Sequence, residues 1–389
     1  MPESRKLLTF EFVGLCVVTF IAFCNTTIFY NLFNYLEMIG IPADLRGLVI
    51  GSYSLTAMVF YLLLSPFITA ANAPRTVLLG ITIVALCGWS YLYVYSFWGL
   101  LALRMTNGFG QFLMGAGAMT LFVSLIPKER SGQAFAIYSL AVLFPFATVP
   151  AVMDALTFII PTPPHGYAGV TVMLIPAAWI ILYIRRRRRE VSGSAIKRSL
   201  PAWSDIRSNV AHVPIILLLL LNTIYIINWS SMFFLIKGFA DQQGIMNVGV
   251  FFTVQTGVMI VLRIFAGRLL DTFNKAWMVV ATFAIIAIGH LALDNLPGPW
   301  AISLVALIFG FGLGMGQPTI NGLMFDISSP GFRPLNANLI ICTTQAAFFL
   351  GPVLGGALVL RWGYHSYFMF SIGLALAAVS IGVLLTRKR

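Results

Sequence analysis

The sequence predicts an all-α polytopic membrane protein: twelve transmembrane helices in two pseudo-symmetric six-helix bundles. Three observations predict it. Hydrophobic residues fill 59% of the 389 positions and charged residues 9%, with a mean hydropathy of +0.92, more apolar surface than a water-soluble domain can cover. Apolar runs of about 20 residues recur along the chain, each long enough to cross a hydrocarbon core of about 30 Å. They are continuous rather than alternating, so each satisfies its own backbone as a helix and not as a barrel strand. Finally, chain features recur in order at an offset near 200, which points to a repeat.

The expected spans are 12–36, 47–70, 75–96, 98–126, 131–160, 167–184, 212–236, 245–270, 276–295, 299–326, 334–360 and 364–386. At roughly 32 residues per helix and loop they fill the chain and leave no room for a separate soluble domain. The first span follows Arg5 and Lys6, but its apolar run is long and has no small-residue cleavage site, so it reads as a membrane helix rather than a removed signal. The fifth and sixth are rich in proline. Between the sixth and seventh, residues 185–211 open with Arg185 to Arg189 and continue through Ser, Gly, Lys and Pro. They read as a polar linker on the cytoplasmic face, dividing an N-terminal bundle (1–184) from a C-terminal bundle (212–389).

The repeat is legible at four places. Glu37 and Lys237 close the first span of each half, and Arg75 and Lys275 open the third. Gly108-Phe109-Gly110 corresponds to Gly310-Phe311-Gly312, and Pro127 with Arg130 corresponds to Pro330 with Arg333.

The formal net charge of +12 is explained by topology rather than by nucleic acid. With both termini inside, 19 of the 24 lysines and arginines fall in cytoplasmic segments, the bias that orients membrane helices. Arg46, Lys237 and Arg361 lie outside, and Arg104 and Arg263 lie within spans. The four cysteines, Cys16, Cys24, Cys87 and Cys342, all fall in predicted helices without CxxC spacing. They read as packing residues, with no disulfide framework or metal site implied. No nucleophile elbow, HExxH or P-loop is present. The chain therefore does not read as an enzyme, no cofactor is expected, and transport energy would come from a gradient.

Arg104 lies about seven residues into the fourth span, roughly 10 Å deep. An intramembrane arginine needs a partner or a polar cavity. Asp154 lies at similar depth in the fifth span, and Glu37 ends the first. Either the three form a structural brace, or Arg104 binds an anionic group or sets the proton affinity of an acid partner, which makes Glu37, Arg104 and Asp154 the proton-coupling candidates. Near the midplane the polar residues are amides and a phenol: Asn25, Gln111, Asn222, Tyr225, Asn228, Gln317 and Gln345, with Tyr53 and Trp229 as stacking surfaces. They either hydrogen-bond a neutral or zwitterionic solute or bond neighbouring helices. None of the four histidines has an acid or metal partner visible in the sequence. Gly310, Gly312, Gly314 and Gly316 read as close packing or bending, since no strand precedes them to make a nucleotide loop.

Arg263-Ile-Phe-Ala-Gly267-Arg268-Leu-Leu-Asp271, followed by Lys275, stands at a cytoplasmic break between apolar spans. This spacing resembles the cytoplasmic-loop motif of the major facilitator superfamily. The corresponding loop of the first half departs from it: Phe67, Ile68 and Ala71 replace the glycine, basic residue and aspartate, and only Arg75 remains. Arg104-Met-Thr-Asn107-Gly108-Phe-Gly110 resembles the family's helix-4 signature. Gly351-Pro352-Val-Leu-Gly355-Gly356 resembles its close-packing glycine motif, which is absent from the fifth span. The resemblance covers the whole chain. It implies a secondary transporter working by alternating access in a bacterial cytoplasmic membrane, with a small-molecule substrate bound near mid-membrane between the halves. It also implies gating by Arg263, Gly267, Arg268, Asp271 and Lys275, and helix packing by Gly351, Pro352, Gly355 and Gly356. Proton-coupled export is the leading expectation. The rivals are an uptake permease for an anionic metabolite held by Arg104, and a non-transporting membrane sensor or assembly protein. Nothing calls for an oligomer or for a partner beyond solute, protons and lipid.

Overall fold

Among the described residues, apolar sequence without regular alternation folds into helices joined by short connections. The computed structural model describes residues 7–156, 159–160, 162–191, 202–244, 249–265, 272–296 and 299–387. Helix α1 (Phe10–Thr27) opens at Thr9, whose hydroxyl accepts from the Phe12 N–H at 3.3 Å, with Glu11 in the first turn where the helix dipole favours an anion. The expected single first span is not one α-helix. It tightens into a 3₁₀ turn at Ile28–Asn31 and resumes as α2 (Leu32–Met38). Thr26 and Thr27 donate to the carbonyls of Ala22 and Phe23 at 3.2 and 2.8 Å, a bonding mode that competes with the helix ladder just where it changes.

Helices α3 (Ala43–Leu64), α4 (Ala73–Ser90) and α5 (Phe97–Val123) follow, the last capped by Ser96 accepting from Gly99 N–H at 3.3 Å. Then comes α6 (Ser131–Ala155). The sixth span is two helices, α7 (Pro163–Thr171) and α8 (Leu174–Val191). Arg185 to Val191 continue α8, and Trp203–Val210 forms the short helix α9. Residues 192–201 lie outside the described residues. In the second half are α10 (Val213–Gln242), α11 (Gly249–Phe265), α12 (Lys275–Asn295), α13 (Pro299–Ile327) and α14 (Arg333–Arg387). Asn274 caps α12 by accepting from Ala276 N–H at 2.9 Å. Two helices are joined within α14 at Gly363, whose φ of 80° suits a residue with no Cβ.

Among the described residues, ten helical stretches are long and apolar enough to cross a bilayer. The tenth, within α14, holds two helices, and Val250–Phe265 is a further, shorter apolar helix. The all-α polytopic architecture expected from the sequence is present.

The chain forms two compact units. One comprises residues 1–127, 141–207 and 330–342; the other comprises 128–140, 208–329 and 343–389. In the first, α5 packs on α3 and α4, α1 on α5 and α8, and α7 on α4. Close approach at α3 is enforced at Gly108, where a Cβ would collide with the Tyr53 carbonyl oxygen. In the second, α13 packs on α10, α11 and α12. Its alternate glycines serve different neighbours: a Cβ on Gly310 would meet Val258 of α11, on Gly312 Ile286 of α12, and on Gly316 the Tyr225 ring of α10. Without a strong hydrophobic drive between helices in lipid, such small-residue contacts supply much of the packing. Three helices are divided between the units: α6 changes unit after Leu140, α9 after Arg207 and α14 after Cys342.

Candidate substrate and coupling sites

In the first unit, α5 places Arg104 among aromatic side chains. Its Cζ lies 4.6 Å from the ring centroids of both Phe29, in the 3₁₀ turn, and Tyr53, on α3. Nη2 donates to the Ile50 carbonyl at 3.4 Å. Nε and Nη1 are buried and have no hydrogen-bond partner among the described residues, and the side chain is 5% exposed. Cation–π contact offsets part of the desolvation of a buried guanidinium, but two donor edges stay open. Of the two acids expected beside it, only Glu37 has a described side chain. Glu37 pairs instead with Arg46 at 3.4 Å and is 61% exposed. Asp154 lies on α6, but its side chain lies outside the described residues. Glu11 pairs with Arg187. Asn25 donates to the carbonyl of Ile21 in its own helix at 3.0 Å. Gln111 is buried on α5.

In the second unit, the structure gathers part of the amide set. Asn222 on α10 donates to the hydroxyls of Thr343 and Thr344 at 2.9 and 3.0 Å and accepts from Gln317 Nε2 at 3.2 Å. Helices α10, α13 and α14 thus meet at one uncharged polar cluster. Gln345, nearby in sequence on α14, is half-buried and makes no hydrogen bond among the described residues. Tyr225 and Asn228 are committed to helix contacts instead. The Tyr225 hydroxyl donates to the Leu313 carbonyl at 2.6 Å. Asn228 donates to Ile224 O at 2.9 Å, and its Oδ1 lies 3.0 Å from His290 Nε2. Trp229 makes an edge contact with Phe348 at 5.2 Å.

The expected gating set divides. Arg263 is buried and donates from Nη1 to the Ser139 carbonyl at 3.1 Å and from Nε to the Gly314 carbonyl at 3.4 Å, tying α11 to α6 and α13. Lys275 Nζ pairs with Asp326 at 2.9 Å, and Ser131 donates to the other oxygen of the same carboxylate at 2.9 Å. Gly267, Arg268 and Asp271 lie outside the described residues. On α14, a Cβ at Gly351 would strike Ser230 Oγ and come within 3.1 Å of the α10 backbone, and one at Gly355 would lie 2.7 Å from Leu235. Pro352 sits within the helix beside them. Gly356 has nothing within 4 Å, so close packing does not account for it.

Sequence reasoning missed several partners. Asp326 lies 51 residues from its partner Lys275 in sequence. His290 finds an amide, and His365 pairs with Asp294 at 2.8 Å. The buried tyrosines around Arg104, Tyr91 and Tyr167, come from the end of α4 and from α7 respectively, and only the fold brings them to α5.

Apolar helices in two units, with buried amides and a few buried cations along them, are the architecture of a membrane transporter. The chain belongs to the major facilitator superfamily: the family's model matches residues 15–337 and again 218–389. It is 24% identical over 300 residues to the multi-drug resistance efflux pump PmrA of Streptococcus pneumoniae, covering 71% of this chain and 69% of that protein. Its fold matches the human organic anion transporter MFSD10 with a TM-score of 0.76, at 15% identity over 98% of this chain and all of that one. It matches a bacterial homologue of the iron transporter ferroportin in an outward-facing state at 0.78, with 13% identity and the same coverage. FucP in its outward conformation matches at 0.75, with 13% identity over 96% of this chain and 98% of that one. At these identities the solved structures speak to fold alone. The chain is a multi-pass membrane transporter and not an enzyme.

Proposed function

We propose that the protein is a proton-coupled secondary transporter that exports a small organic solute across the cytoplasmic membrane by alternating access. The observation that carries this reading is the polar cluster of Asn222, Gln317, Thr343 and Thr344, built of amides and hydroxyls without an ion pair. Such groups both donate and accept, and they suit a neutral or zwitterionic ligand. Similarity to an efflux pump favours export. Coupling falls to Arg104, with Asp154 as the acid whose proton affinity it sets. The N-terminal bundle (1–184), the connection (185–211) and the C-terminal bundle (212–389) are the parts that move, with both termini in the cytoplasm and the monomer as the working unit.

The test uses everted membrane vesicles with an imposed interior-acid gradient and a pH-sensitive dye. A transported solute is expected to dissipate the gradient, and Asn222→Ala or Gln317→Ala to raise the half-effective concentration about tenfold, the loss of one good hydrogen bond. Solute flux indifferent to the gradient would remove proton coupling from the proposal. Accumulation in right-side-out vesicles alone would reverse its direction. A second reading, an uptake permease for an anionic metabolite, is favoured by the open donor edges of Arg104, and that outcome would select it.

A further inference from the structure

The surroundings of Arg104 hold more unsatisfied polarity than one arginine. The hydroxyls of Tyr35, Tyr91 and Tyr167 are buried and have no hydrogen-bond partner among the described residues, as is true of Arg104 Nε and Nη1. These residues form one neighbourhood. Tyr167 packs against Tyr91 and Tyr35 with ring centroids 5.4 and 6.2 Å apart, and Phe29, which contacts the guanidinium, lies 5.1 Å from Tyr91 and 4.4 Å from Tyr167. The Tyr91 hydroxyl lies beside the Arg104 guanidinium and the Asn107 amide. Five buried polar atoms without partners in one cluster need an occupant, since each costs free energy when left dry.

The chemistry selects that occupant. A guanidinium offers only donors, and a phenol hydroxyl can turn its proton toward an acceptor. Two described carboxylates of this unit are engaged elsewhere, Glu37 with Arg46 and Glu11 with Arg187. Among the described residues the guanidinium has no ion-pair partner, and the cluster presents an excess of donors in apolar surroundings. A single negative charge rich in lone pairs neutralises it and forms charge-assisted hydrogen bonds, while a dianion leaves a net buried charge. We propose that Arg104, Tyr35, Tyr91 and Tyr167 form a monoanion-binding site within the first unit, occupied by the carboxylate of a solute or by a halide ion. The proposal deepens the transport reading by assigning Arg104 an anion to hold, but binding is measurable without transport, so the two can fail separately.

The experiment is thermal unfolding of the purified full-length protein in detergent, with sodium chloride or sodium acetate titrated into sodium sulfate at constant ionic strength. A ligand of the native state raises the apparent midpoint with a saturable dependence on its concentration. Wild type is expected to respond, Tyr91→Phe and Tyr167→Phe to need about tenfold more anion for half the effect, and Arg104→Gln to lose the response. The two phenylalanine variants keep ring packing and decide the matter even if the Arg104 variant does not fold. A response to acetate without chloride identifies a solute carboxylate, and a response to chloride identifies an inorganic ion. Equal midpoints in all three salts, or responses unchanged in the tyrosine variants, would overturn the site and leave water as its occupant.

Discussion

Lys275 shows what a residue's identity does and does not disclose. Its place after a loop motif marks it as a gating residue, but its partner Asp326 lies 51 positions away on another helix, and no spacing rule connects them. In the structure their side chains are 9% and 15% exposed and 2.9 Å apart, with Ser131 on the same carboxylate. Removing one member leaves the other charge desolvated, which costs about 3 kcal/mol for a pair this buried, whereas removing both forfeits much less. Lys275→Met and Asp326→Asn should each lower the unfolding midpoint markedly, and the double variant should recover most of the loss. Additive losses in that cycle would show that the pair is not coupled. Arg104 is the converse case: its burial was legible from an arginine inside an apolar run, but its aromatic company was not. Phe29 meets it from the 3₁₀ turn that follows α1, and Tyr167, on α7, packs against Phe29.

Helix existence was legible almost throughout, because runs of apolar residues this long have no other way to satisfy their backbones in lipid. Helix interruptions were less so. The breaks at Ile28–Asn31 and between α7 and α8 depend on local hydroxyl bonding and tertiary packing, which periodicity does not report. The glycine motif on α14 makes the same point within a single element. Gly351 and Gly356 look alike in sequence, but the first abuts Ser230 and the α10 backbone while the second faces open space. Gly351→Ala should destabilise the protein by about 1–3 kcal/mol through overpacking. Gly356→Ala should be neutral or stabilising by up to about 1 kcal/mol, as alanine is the better helix former. Thermal midpoints of the two variants measure the contrast, and equal losses would show that the motif acts through backbone flexibility instead.

At the scale of the molecule, the sequence repeat and the contact units divide the chain differently, and the difference is itself ordered. Residues 128–140 open α6 and group with the second half, while residues 330–342, which run into α14, group with the first. These are repeat-related segments, as Pro127 with Arg130 and Pro330 with Arg333 indicate. Each exchange has its own polar fastening: Arg263 to the Ser139 carbonyl and Asp326 to Ser131 for α6, and Asn338 Nδ2 to Thr120 Oγ1 at 3.2 Å for α14. A side-chain amide bonded to a hydroxyl contributes only about 1 kcal/mol net, so the α14 fastening is weak enough to open and close within a transport cycle. If alternating access requires that opening, a short thiol-reactive cross-linker between Thr120→Cys and Asn338→Cys, placed in a chain whose native cysteines are replaced, should abolish transport in proteoliposomes. Each single variant treated with the same reagent should stay active, because one modified side chain leaves α14 free to move. Transport that survives complete cross-linking would mean that α5 and the start of α14 remain together throughout, and that the solute's path opens elsewhere in the fold.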